Sequence, residues 1–267
     1  MSTNILAKIV ASKFGEVAER KKQISIGELE AMPLFKRAVY SLHSNLVDPS
    51  KTGIIAEFKR QSPSKGIINN TALVHEVTKA YCDFGASGIS VLTDTHFFGG
   101  SLDDLTIAIK NTTPVLRKEF IIDEFQIIEA KAYGASVILL IAACLTPKET
   151  ALLAATAKAL GMEVLLEIHD ETEIGHICDE VDFVGINNRS LKSLEVNIEH
   201  SLKLKNMLPK EKLSIAESGI YDLATFQLLK KEGFDGFLMG EYFMKQADPA
   251  KAFELFVSQI KSSSHAI

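Results

Sequence analysis

The chain has 267 residues, 46% of them hydrophobic, a formal net charge of -5 and a pI near 5.8. The acidic balance argues against a basic nucleic-acid-binding face, and the length fits one α/β barrel of about 250 residues better than two small domains. Cys82, Cys144 and Cys178 are widely spaced with no C-x-x-C pair, and the seven histidines show no metal spacing, which points to reduced cytosolic thiols and no metal site. The segment MSTNILAKIV lacks the apolar run and cleavage site of a signal peptide. The longest apolar stretch, Ala135 to Leu145, is far below the roughly 20 residues of a membrane span. The expectation is a soluble cytoplasmic protein, with residues 1–267 as one domain.

In chain order, ILAKIVASKFGEVAERKK comes first. Ile5, Leu6, Ile9, Val10, Phe14 and Val17 recur at helical period, and Arg20-Lys21-Lys22 would form its solvated end. A second helix is expected over Leu34–His43, so residues 1–50 read as a helical extension. Eight runs rich in Ile, Val and Leu follow: 54–58, 88–92, 114–118, 136–141, 163–167, 182–186, 212–216 and 235–239. They recur at about 20–35 residues, the period of a βα unit. Their near-continuous hydrophobicity marks parallel strands buried on both faces. Between them, Thr71–Phe84, Asp123–Tyr133, Pro147–Leu160 and Tyr221–Lys231 are patterned as helices, three of them stopping at Gly134, Gly161 and Gly233. The pattern predicts a (β/α)8 TIM barrel with an N-terminal helical extension; an open doubly wound sheet is the alternative.

In such a barrel the chemistry lies where the strands end. The first strand ends in IIAEFKRQSPSKG, where Glu57 and Lys59 share a side because side chains alternate at period two. Burying that pair for stability alone is poor design; the plainer reading is an edge strand with a solvated end. Lys118, Glu167, Asn187, Arg189 and Glu217 close later strands. Three carboxylates and two lysines converging in a partly desolvated mouth shift one another's pKa values, as acid–base catalysis needs. Ser218-Gly219 and Gly240-Glu241 follow the last two strands, where barrels commonly bind phosphate on backbone N–H groups and a short helix, here GEYFMK. His169-Asp170 suggests a relay, but Asp170 reads more simply as an N-cap, as do Asp94 and Asp123. Phe97-Phe98 before Gly99-Gly100 can wall an aromatic substrate.

The motifs AEFKRQSPSKG (56–66), SVLTDTHFFGGS (90–101), VLRKEFIID (115–123), LLEIHDETE (165–173), GINNRSL (185–191), IAESGI (215–220) and LMGEYFM (238–244) resemble the single-function indole-3-glycerol-phosphate synthases, in order and over nearly the whole chain. The N-terminal helix also resembles that family's extra helix. The resemblance implies closure of the indole ring of 1-(o-carboxyphenylamino)-1-deoxyribulose 5-phosphate with loss of carbon dioxide and water, without a cofactor, in a monomer or weak homo-oligomer. It implies Lys118 as general acid, Glu167 as general base, and Glu57 and Lys59 tuning that pair. Asn187 and Arg189 would order the site or hold the anthranilate carboxylate. Glu217 would hold substrate hydroxyls or the catalytic lysine. Ser62 and Phe98 would lie on the anthranilate moiety, and Ser218, Gly219, Gly240 and Glu241 would receive phosphate. Glu119 and Ser190 depart from the family's usual Asp and Asp or Asn, away from any proton-transfer group. Two rivals stay open: another phosphosugar enzyme, such as phosphoribosylanthranilate isomerase or a Schiff-base aldolase, and a catalytically dead phosphate-binding barrel.

Overall fold

The computed structural model describes residues 5–189 and 196–264; Ser190, Leu191 and His265 lie outside them. Eight parallel strands, β1 (Ile54–Phe58), β2 (Gly88–Leu92), β3 (Val115–Lys118), β4 (Val137–Ile141), β5 (Glu163–Ile168), β6 (Phe183–Asn187), β7 (Leu213–Glu217) and β8 (Gly236–Met239), close into a barrel in which β1 pairs with both β2 and β8. The open-sheet alternative is thereby excluded. Each strand begins and ends within a residue of its expected position, because burial on both faces leaves one uninterrupted apolar run.

Alternation divides each strand between two cores. Ile55, Leu116, Leu139, Leu165, Ile215 and Leu238 fill the barrel interior. Ala56, Ile89, Val91, Ile138 and Val164 face the surrounding helices. The same alternation carries Glu57, Lys118, Glu167, Asn187 and Glu217 onto the inner side at the strands' C-terminal ends.

Three helices precede the barrel: α1 (Ile5–Gln23), α2 (Ile26–Glu30) and α3 (Leu42–Val47). The helix expected over Leu34–His43 does not form. Residues 32–37 make turns closed by the Phe35 N–H on the Met32 carbonyl and the Arg37 N–H on the Leu34 carbonyl. Beyond them Arg37 is drawn to the barrel, its guanidinium donating to the Ile109 carbonyl and its carbonyl accepting from Lys131. Helix formation restarts at Ser41, whose hydroxyl accepts the Ser44 N–H, and Glu163 of β5 receives the Leu42 N–H at 2.6 Å. Leu42 is thereby fixed in the interior core, plugging the N-terminal end of the barrel. α2 starts at a Ser25–Glu28 capping box.

The inward face of α1 also differs from expectation. Leu6, Ile9 and Val17 are buried, but so is Lys13, whereas Phe14 is 62% exposed. Arg20 is not a fully solvated end: its guanidinium reaches Glu129 at 2.8 Å. Of the later helices, α4 (Val74–Asp83), α7 (Glu124–Ala132), α8 (Pro147–Ala159) and α10 (Leu223–Lys231) fall within the segments patterned as helices and α11 (Glu241–Met244) within GEYFMK, while α5 (Thr95–Phe98), α6 (Leu102–Ala108), α9 (Ile198–Lys205) and α12 (Pro249–Ser264) form where the sequence reading named none. Among the described residues no helix is long and apolar enough to cross a membrane.

Candidate active site

The C-terminal mouth of the barrel holds a cavity of about 350 Å³ lined by all thirteen residues that the sequence placed in the site, within the usual size of small-molecule pockets. Lys118 is its centre. The ammonium at the end of β3 stands 3.1 Å from Glu167 Oε2 and 3.0 Å from Glu217 Oε2. Burial opposes its charge, but Glu167, Glu217 and Glu57 outweigh that cost and raise its pKa above the ordinary lysine value. A second pair sits beside it, with Lys59 Nζ 2.7 Å from Glu57 Oε1. The Ser90 hydroxyl donates to the other Glu57 oxygen at 3.2 Å. Burial would raise the Glu57 pKa, but Lys59 and Lys118 pull it below the ordinary range.

The two carboxylates that share Lys118 are unlike. Glu167 also accepts a hydrogen bond from Asn187 Nδ2 at 2.9 Å. Against the opposing effect of burial, Lys118, His169 and Asn187 hold its pKa well below the ordinary carboxylate range. Glu217 is dominated by burial. Lys118 lowers its pKa, the neighbouring Glu167 charge raises it, and the net result is a group pushed up to about 7. Its Oε1 has no donor among the described residues.

His169 was missed as a site residue. Asp170 does cap the 3-10 turn that follows, accepting the Thr172 N–H, yet His169 lies against Glu167, with Nε2 3.2 Å from Oε1 and Nδ1 3.4 Å from Glu173 Oε2. Beside the His169-Asp170 pair, the E-x-H spacing at the end of β5 is the signal that finds it, since residues two apart in extended chain share a side.

Asp94 and Asp123 cap α5 and α7 as expected. Ser62 lies on a small antiparallel ribbon pairing 61–62 with 66–67, whose Pro63 and Ser64 also line the cavity. Opposite, Ser218 (φ 63) and Gly219 (φ 73) are consecutive residues in the left-handed region, and Ser218 is the one non-glycine at positive φ among the described residues. This backbone turn and the start of α11 face the cavity. The Glu241 carboxylate draws Arg189 to 3.5 Å and Lys65 to 3.6 Å, and Arg189 donates to the Tyr221 hydroxyl at 2.8 Å. Gly240 has a further duty: a Cβ there would stand 2.8 Å from the Glu57 Cβ, so the glycine makes room for that carboxylate. The apolar wall comprises Phe98, Phe120 and, unforeseen, Ile5, Leu6 and Ile9 of α1. The helical stripe was legible, but not what it covers.

Fold and mouth together define a (β/α)8-barrel protein with a lysine held between carboxylates at its strand ends. A family model described as indole-3-glycerol phosphate synthase matches residues 6–256. Indole-3-glycerol phosphate synthase of Bacteroides thetaiotaomicron is 43% identical over 266 residues, spanning 97% of this chain and 99% of that one. The chain belongs to the indole-3-glycerol phosphate synthase family. Among solved structures, tryptophan synthase subunit alpha from Legionella pneumophila matches at a TM-score of 0.63 with 13% identity, over 86% of this chain and 100% of that one. The 3-hexulose-6-phosphate synthase of Salmonella typhimurium matches at 0.58 with 12% identity, over 77% and 98%. At such identity these two share the fold alone.

Proposed function

We propose that the charged mouth carries out the family's reaction with Lys118 as general acid and Glu167 as general base. The reaction converts 1-(o-carboxyphenylamino)-1-deoxyribulose 5-phosphate to indole-3-glycerol phosphate, carbon dioxide and water, a carboxy-lyase step of tryptophan biosynthesis. The observation that carries the assignment is the Lys118 ammonium held between Glu167 and Glu217 on the inner rim of the cavity.

The aniline ring attacks the ketone carbon, and Lys118 gives a proton to the ketone oxygen as the new bond forms. Loss of carbon dioxide returns the bonding pair to the ring. Dehydration then moves a proton from carbon to Glu167 as the C–O bond breaks, the leaving hydroxyl taking a proton from the Lys59 ammonium to depart as water; solvent afterwards restores the protons that Lys118 and Lys59 gave up. An ion-paired carboxylate is a weak base, but the order of steps corrects this. Once Lys118 has released its proton, Glu167 loses its principal cationic neighbour and its basicity rises.

Asn187 fixes the Glu167 rotamer, Lys59 and Glu57 balance the charge around Lys118, and Glu217 positions the lysine or holds substrate hydroxyls. Arg189 and Ser62 face the anthranilate end, and Phe98 packs on its ring. Phosphate sits on the backbone N–H groups of Ser218, Gly219, Gly240 and Glu241. We read the chain as one cytoplasmic domain, monomeric or weakly self-associating. The test is to incubate the protein with the carboxyphenylamino-deoxyribulose phosphate and follow indole fluorescence. No fluorescence, or trapping of a Lys118 adduct by borohydride, would reject this chemistry.

A further inference from the structure

α1 carries a buried charge that the proton transfers do not use. Lys13 is 1% exposed. Its Nζ lies 2.9 Å from Asp94 Oδ2, 3.1 Å from Glu119 Oε1 and 2.8 Å from Glu16 Oε2. Burial opposes the ammonium charge, yet Glu119, Glu16 and Asp94 together raise its pKa above the ordinary lysine value. Asp94 and Glu119 are themselves buried. Stability alone is a poor reason for such a cluster, because apolar side chains of similar volume often serve as well or better.

Both buried carboxylates have a second task. Asp94 Oδ1 accepts the N–H groups of Phe97 and Phe98 at 2.7 and 3.2 Å. Glu119 Oε1 accepts the N–H of Phe120 at 2.8 Å, and its Oε2 accepts the Thr93 hydroxyl. Each carboxylate is therefore one hydrogen bond from the backbone of an aromatic residue in the cavity wall. The rings of Phe98 and Phe120 are 5.9 Å apart, tilted by 35°. The helix that supplies Lys13 also brings Ile5, Leu6 and Ile9 to the same cavity.

We propose that Lys13 is a positioning residue for recognition of the substrate's aryl group, its ammonium locking the segments after β2 and β3 so that Phe98 and Phe120 stand as a fixed wall beneath α1. The assignment rests on the reading of the mouth given above. Lys13 is not among the residues lining the cavity, and the phosphate-facing backbone lies on the far strands. Its removal should therefore act on the aryl end of the ligand and leave the phosphate end alone.

The experiment compares wild type with Lys13→Met, reading kcat and KM together with dissociation constants for two probes. One is the unreactive reduced substrate, 1-(o-carboxyphenylamino)-1-deoxyribitol 5-phosphate; the other is inorganic phosphate. Lys13→Met should weaken the aryl-bearing probe about tenfold or more, the scale of loss when a binding surface is displaced. Phosphate affinity should stay unchanged, and KM should rise much more than kcat falls. The variant leaves Asp94 and Glu119 facing each other, so Lys13→Met/Glu119→Gln, which removes one of those charges, carries the same comparison if the single variant does not fold. Lys13→Arg should restore much of the aryl affinity. Equal weakening of both probes, or a fall in kcat at constant KM, would overturn the role of Lys13 while leaving the mouth's reading intact. Wild type that binds phosphate but not the aryl probe would overturn both.

Discussion

Gly185 on β6 and Glu217 on β7 occupy one space between them. A Cβ on Gly185 would stand 2.0 Å from Glu217 Oε1, so the missing side chain of one residue is the seat of the other's carboxylate. Gly185→Ala must displace Glu217 and so remove one of the two anchors of Lys118. Turnover should fall by about 10²-fold, the usual consequence of moving a reacting group by an ångström, with KM much less affected. Kinetics on a folded Gly185→Ala protein decide this, and near-normal turnover would show that Glu217 does not place the lysine.

Glu217 also predicts a pH dependence. With its carboxyl pushed up to about 7, the group exchanges its proton within the working range of the enzyme. The pH–rate profile of kcat/KM, which reports groups of the free enzyme, should therefore inflect near 7, and Glu217→Gln should lack that inflection. Persistence of the inflection in the variant would assign it to another group.

The proposed acid and base should fail at different steps. Lys118→Ala should lower turnover by about 10²–10⁴-fold, the usual worth of a positioned general acid, and should stall before carbon dioxide leaves. Glu167→Gln keeps its shape but cannot accept a proton, so it should slow indole formation more than carbon dioxide release. Following both signals in single-turnover mixtures separates the two. If Glu167→Gln delays both equally, the base must be sought at Glu57 or Lys59.

The two glycines proposed to receive phosphate should separate as well. Gly219 has φ 73, and a Cβ there would meet Val196 at 2.4 Å. Gly219→Ala should distort the anion-facing backbone and raise KM with little change in kcat. Gly240→Ala should lower kcat too, since its Cβ would strike Glu57. Steady-state kinetics, with inorganic phosphate as competitor, distinguish the effects; identical kinetic defects would mean that the two glycines share one role.

His169 predicts how stability varies with pH. Burial lowers its pKa, but Glu167 and Glu173 overcome this and push it from 6.5 up to about 10. A folded-state pKa above the unfolded one stabilises the protein fully below 6.5, and that stabilisation is lost as pH rises through about 10. Urea unfolding should show His169→Asn to be less stable than wild type at pH 6, with the gap closing by pH 10. A gap independent of pH would mean that His169 contributes packing and not charge.

The barrel was readable because its strands are apolar on both faces, and the charged rim because the fold dictates that strand ends meet. Glu57 and Lys59 needed only period-two alternation to be paired. What escaped depends on partners distant in sequence. The apolar stripe of α1 pointed to Phe14 as an inward residue, and no helical periodicity marks Lys13 as buried when its counter-charges are Asp94 and Glu119. His169 looked like a neighbour of a cap, because its ion pair with Glu167 is a matter of packing at one rim. The helix expected at Leu34–His43 lost its middle to bonds with Ile109 and Lys131, which local propensity does not register.

The Glu163 carboxylate that accepts the Leu42 N–H has a consequence for synthesis on the ribosome. α3 has six residues, too few to persist as a free helix, and the carboxylate that accepts its Leu42 N–H arrives on a strand 121 residues later. The segment made first must wait, its Leu42 without a cavity to enter, until β5 has emerged and joined its neighbours. The Leu42 segment thus leaves the ribosome well before the strand that fixes it. Pulse-labelled hydrogen exchange during refolding would show Leu42 protected only after the strand amides of β4 and β5.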